Sequence, residues 1–130
     1  MNLESPKVIV EKSAEYLYNA LTNVKSFEIL MPENIAKFEV IDENCFEFGL
    51  KGMPEIKLVK KQAIPYSKIV LGAASSKLPF TLTANIISLE TEKTEIQLGF
   101  DGEFNPMMAM MIKGPIGKFI ETLASNMHKL

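Results

Sequence analysis

Thr94-Glu95-Ile96-Gln97-Leu98-Gly99-Phe100-Asp101-Gly102-Glu103-Phe104-Asn105-Pro106-Met107-Met108 is the stretch that decides the fold. Up to Phe104 the period is two. Thr94, Ile96, Leu98, Phe100 and Phe104 alternate with Glu95, Gln97, Asp101 and Glu103. That pattern is a strand with one dry face and one wet face. At Asn105-Pro106 the period changes. Asn is a good helix cap, and Pro fits the first turn, where its missing N–H costs nothing. Met108, Ile112, Ile116, Phe119, Leu123 and Met127 follow at spacings of 4, 4, 3, 4 and 4. This is one apolar stripe of a long amphipathic helix. Gly114-Pro115-Ile116-Gly117 interrupts the stripe, so a kink or short break is expected there.

The same alternation extends upstream. Phe38 and Val40 share a face, then Phe46, Phe48 and Leu50, then Ile56 and Leu58. Ile69, Leu71 and Ala73 follow, then Phe80, Leu82, Ala84 and Ile86. Turns are expected at Asp42-Glu43-Asn44, Lys51-Gly52-Met53-Pro54, Pro65-Tyr66-Ser67, Ser75-Ser76-Lys77 and Glu90-Thr91-Glu92-Lys93. These make six consecutive strands with hairpin-length connections. Nearer the start, Val8-Ile9-Val10 reads as a strand within Lys7 to Glu11. Ser13 caps a helix carrying Tyr16, Leu17, Ala20, Leu21 and Val24, and Glu15 sits where the helix dipole favours an anion. A second short helix, about Lys25 to Met31, stops at Pro32.

Composition narrows the partners. The chain has 130 residues and a net charge of −2. All fourteen basic residues are Lys, with no Arg to read phosphate or guanine bidentately, and the lysines are scattered. No nucleic-acid partner is expected. No apolar run approaches the roughly 18 residues of a membrane span. The opening Met1-Asn2-Leu3-Glu4-Ser5-Pro6-Lys7 does not read as a signal peptide. One unpaired Cys suits a cytoplasmic location and excludes a disulfide framework. No metal or cofactor is expected, and a homo-oligomer is not indicated.

The element order is β-α-α-β6-α, an α+β chain. A seven-stranded antiparallel sheet must cover its apolar face, and the C-terminal helix is the element long enough to do so. The sheet must curve around that helix, and the two short helices close one end. The chain resembles the SRPBCC superfamily, the START and birch-pollen-allergen-like helix-grip proteins, including the polyketide cyclase/dehydratase-like group. The resemblance spans essentially all 130 residues, treated as a single domain. It rests on the element order, on Val8-Ile9-Val10 leading to the Ser13-capped helix, on Leu30-Met31-Pro32, and on Phe104-Asn105-Pro106. It implies a cavity for a hydrophobic small molecule or lipid. It does not decide between binder and enzyme.

By parity, the cavity lining is expected from Phe38, Phe46, Phe48, Ile56 and Leu58 on one half of the sheet. Phe80, Leu82, Leu98 and Phe100 would line the other half. Met108, Met111, Ile112 and Phe119 would supply the helix side, and Lys60 and Tyr66 a polar rim. Met107, Met108, Met110 and Met111 fall within five residues, so they cannot all face one way. Thioethers suit a soft pocket wall as well as ordinary gap-filling. No catalytic residue is expected. His128 is near the end of the sequence, and the Glu90/Glu92/Glu95 and Glu43/Glu47 groups fall on turns or on the wet parity. Cys45 also falls on the wet parity. The leading expectation is a binder of a hydrophobic small molecule or lipid. The alternatives are a polyketide cyclase/dehydratase-like enzyme, which needs an acid or base inside the cavity, and a protein-interaction module with a packed interior.

Overall fold

The computed structural model describes residues 1–51, 55–74 and 80–130. The elements are β1 (Asn2–Glu4), β2 (Val8–Val10), α1 (Ala14–Thr22), a 3-10 turn (Val24–Ser26), α2 (Phe27–Leu30), β3 (Ile35–Asp42), β4 (Cys45–Leu50) and β5 (Ile56–Ile64). They continue with β6 (Lys68–Ala73), β7 (Phe80–Glu90), β8 (Lys93–Gly102), α3 (Pro106–Ser125) and a 3-10 turn (Met127–Lys129). The fold is the expected helix-grip α+β arrangement, a curved antiparallel sheet around a long C-terminal helix.

The sheet runs β1-β8-β7-β6-β5-β4-β3, with β2 also paired to β8. Thus eight strands are described where seven were expected. The extra one, β1, pairs Leu3 with Phe100, and β2 pairs Ile9 with Glu95. Both belong to one N-terminal arm broken at Ser5-Pro6-Lys7, because Pro cannot donate to a ladder. Ser5 holds the break together. Its N–H donates to the Leu98 carbonyl (2.8 Å), and its hydroxyl oxygen accepts from the Leu98 N–H (2.9 Å).

The expected caps are present. Ser13 Oγ accepts from the Tyr16 N–H at 3.1 Å, and Asn105 Oδ1 from the Met108 N–H at 2.8 Å. Of the kink or short break expected at Gly114–Gly117, the break is absent: α3 runs continuously from Pro106 to Ser125 with Pro115 inside it. Only one backbone bond is lost at a mid-helix Pro, and the buried stripe below it carries the helix through. The expected turns at Lys51-Pro54 and Ser75-Lys77 fall largely or wholly on 52–54 and 75–79, outside the described residues.

The concave face and α3 enclose one contiguous core. At the end closed by α1 and α2 it is filled. Leu17, Leu21, Phe27 and Leu30 are buried there, and Phe27 stacks on Phe46 at 5.1 Å. Asn126 Nδ2 donates to the Leu30 carbonyl at 3.0 Å and ties the end of α3 to α2. Thr94 lies fully buried on the apolar face of β8, and its hydroxyl donates to the Lys12 carbonyl at 2.7 Å.

Candidate functional site

The opposite end of the core is not filled. Between the sheet and the N-terminal half of α3 lies a cavity with a free volume of about 60 Å³. Phe48, Ile56, Leu58, Phe80, Leu82 and Phe100 form the sheet side. Met108, Ile112, Ile116, Phe119 and Ile120 form the helix side, and Phe104 closes it at the β8–α3 connection. All twelve are apolar, and no polar atom of the described residues is exposed in the wall.

Two aromatic groups shape this space. Phe119 lies flat on Phe48, with ring centres 4.8 Å apart and planes 6° apart. Phe80, Phe100 and Phe104 stack in sequence at 5.0 and 6.1 Å. Gly102 makes the second group possible. A Cβ there would come within 2.6 Å of the Phe104 ring and 2.8 Å of Phe80 Cβ. Such approaches are not seen between real atoms, so the last residue of β8 must lack a side chain for Phe104 to fold inward.

Nine of the thirteen expected lining positions border the cavity. Met111 does not. It is 71% exposed, along with Met107 and Met110. In a helix of 3.6 residues per turn, Met108, Ile112, Ile116 and Phe119 share the inner stripe. Met111 is four residues from Met107 and shares its outward face. Phe38, Phe46 and Leu98 are also absent from the wall. Phe38 stacks on Phe46 at 5.4 Å, and Phe46 is sandwiched against Phe27, so both belong to the filled end. Leu98, paired with Ala84, is buried in the close-packed middle of the sheet.

Neither Lys60 nor Tyr66 forms the rim. Lys60 Nζ donates to the Thr22 carbonyl at 3.0 Å, at the negative end of the α1 dipole. A register shift between Lys60 and Gln62 marks a bulge in β5. Tyr66 has a left-handed backbone (φ 64°) in the β5–β6 turn and packs edge-on against Tyr18 of α1 at 5.6 Å. Phe104, Ile116 and Ile120 were missed as lining. Ile116 stands on the helical stripe and Ile120 four residues beyond it, and Phe104, two residues past the end of β8, keeps the apolar parity of that strand.

Charge is concentrated outside. On the outer face of β3 to β5, Lys37 Nζ lies 2.6 Å from Glu47, 3.3 Å from Glu55 and 3.7 Å from Glu39. The hydrogen bond from Lys37 holds the Glu47 carboxyl below its ordinary range, and the Glu47 and Glu55 carboxylates raise the Lys37 ammonium well above its own. Cys45 has the outward parity yet is buried, and burial raises its thiol pKa. The long charged side chains of this face shadow its small ones, as Gly49 beneath Glu55 and Lys37 also shows. His128 Nδ1 lies 2.8 Å from the Ser125 carbonyl and stays at the surface.

Beside the cavity, between α3 and the segment from Pro32 to Asn34, a surface groove holds a free volume of about 470 Å³. Its wall is mixed: Lys51, Lys118, Glu33, Asn34 and Thr122 are polar, whereas Leu50, Pro115 and Phe119 are apolar. Phe119 borders both spaces.

No family model matches the chain, and no curated protein matches it in sequence. Solved structures do match in shape. Norcoclaurine synthase from Thalictrum flavum, a point mutant holding a transition-state analogue, superposes with a TM-score of 0.75 at 12% identity, covering 99% of this chain and 92% of that one. The same enzyme is also described in complex with dopamine and hydroxybenzaldehyde. A START superfamily protein from Mycobacterium smegmatis gives a TM-score of 0.75 at 16% identity, covering 98% and 94%. A protein from Thermus thermophilus gives 0.72 at 10% identity, covering 99% and 95%. At these identities the likeness is one of fold alone, the helix-grip arrangement described above. No described helix is long and apolar enough to cross a membrane.

Proposed function

We propose that the protein binds a hydrophobic small molecule in the cavity between the sheet and α3. The supporting observation is the wall: twelve apolar side chains with no exposed polar atom around space that the core leaves unfilled. A pocket of that kind favours apolar matter over water. Its size favours a ligand part no larger than a single ring. Engineered apolar cavities of about 150 Å³ take up benzene, and this one, at about 60 Å³, must widen to do the same. Met108 and Ile112, half-buried at the α3 edge, are the flexible side of the wall. Dopamine and hydroxybenzaldehyde, the ligands of norcoclaurine synthase, are single-ring compounds on a similar scaffold.

Burial of about 150 Å² of ring surface at roughly 25 cal/mol per Å² yields about 4 kcal/mol, a millimolar dissociation constant. A bare ring therefore binds weakly, and tighter binding needs a longer apolar chain or a polar head. The enzyme alternative requires an acid or base facing the ligand, and the described lining supplies none.

The test is a titration of single-ring and medium-chain apolar compounds followed by methyl NMR, with native mass spectrometry of freshly purified protein alongside. Saturable shifts at Ile112, Ile116 and Ile120 support the reading. Shifts confined to the exposed Met107 and Met110, with no bound mass, overturn it.

A further inference from the structure

The cavity and the groove share one lining side chain, Phe119. Phe119 packs its ring face against Phe48 inside and also borders the groove. The two spaces differ in chemistry. The cavity is wholly apolar, and the groove carries two lysines together with apolar Leu50 and Pro115. Among the described residues neither Lys51 nor Lys118 has a carboxylate within ion-pair distance, although three carboxylates crowd Lys37 elsewhere. The Asn34 side-chain amide, also in the groove, makes no hydrogen bond among the described residues, and Glu33 is the one acidic group of the wall. Pro115 adds no donor there, because it has no N–H.

We infer that the natural ligand is an anionic amphiphile with a carboxylate head. Its apolar part occupies the cavity, its head lies in the groove between Lys51 and Lys118, and the Phe119 ring turns aside to let the chain pass. This rests on the cavity reading above and names the class of ligand. The apolar part supplies burial; the lysines select the charged head over a neutral one. The Asn34 amide is placed to donate to the carboxylate, and the Glu33 carboxylate opposes it.

The experiment compares decanoate with decanol, equal in chain length and differing in head charge, by calorimetry on the wild-type protein and on the K51Q/K118Q variant. Both lysines are exposed, so the fold is retained; thermal melting confirms it. In the wild type decanoate binds more tightly than decanol. In K51Q/K118Q decanoate weakens about five- to tenfold, the scale of two partly exposed charge contacts, and decanol is unchanged. The decanoate advantage shrinks as salt rises, and Glu33→Gln tightens decanoate alone. Equal binding of the two ligands, undisturbed by K51Q/K118Q, overturns the head site and leaves the cavity reading standing. Binding of neither ligand to the wild type overturns both.

Discussion

Replacing Phe119 with Ala removes a ring that borders both the cavity and the groove. The side chain is 5% exposed and stacks face to face on Phe48. Loss of a buried Phe ring costs about 3–5 kcal/mol, including the stacking term and the void left behind. Here the void merges with a cavity and with a groove that solvent already reaches, so water relieves part of it and the lower end, about 3 kcal/mol, is expected. For a chain of this length the unfolding entropy near the midpoint is about 0.27 kcal/mol/K, so the midpoint falls by about 11 °C. Scanning calorimetry and urea unfolding measure both. The enlarged apolar space should also accept benzene, so that saturating benzene raises the variant's midpoint more than the wild type's. A loss below about 1 kcal/mol would mean that the ring is not packed as described, because exposed substitutions stay within about 0.5 kcal/mol.

Thr94→Val leaves the part-buried Lys12 carbonyl without its donor and should cost about 1 kcal/mol in urea unfolding, whereas Thr94→Ser should cost less because it keeps the hydroxyl. The Lys37–Glu47 pair makes stability depend on pH at both ends. Glu47's folded pKa is depressed, so its contribution is present above the ordinary 4.5 and is lost as pH falls through the folded value. Lys37's is raised, so its contribution is present below the ordinary 10.5 and is lost as pH rises past it. Lys37→Met should flatten both arms of the stability profile; an unchanged acid arm would disprove the pairing. Cys45, buried and with a raised pKa, should resist a thiol reagent in the native state and react fully in urea. Rapid native labelling would place it at the surface.

Period-two alternation in β8 and the stripe of α3 were enough to assemble the sheet and the helix it grips, because each face of a half-buried element is written in its own spacing. Six of the nine sheet residues expected from parity border the cavity. Parity says which face a side chain takes, not which end of the sheet is packed. Phe38 and Phe46 therefore looked equivalent to Phe48, yet α2 fills their end with Phe27. Lys60 and Tyr66 share that end, against α1, and so could not form the rim. Met111 was misjudged for a simpler reason. Four methionines in five residues exceed one face of a helix, and the inner phase is set by Ile112 and Ile116. Cys45 and Gly49 show the limit on the outer face, where long charged neighbours bury small side chains. The groove beside α3 is invisible to periodicity, because Lys51 and Lys118 meet only through tertiary packing.

Xenon tests the central claim most directly, because it enters dry apolar cavities without any charged or hydrogen-bonding contact. A crystal of the protein under xenon pressure should show one strong site bounded by Phe48, Leu82, Phe100 and Ile116. Ordered water at that position, or xenon bound only at the exposed methionines of α3, would contradict the existence of an apolar binding cavity.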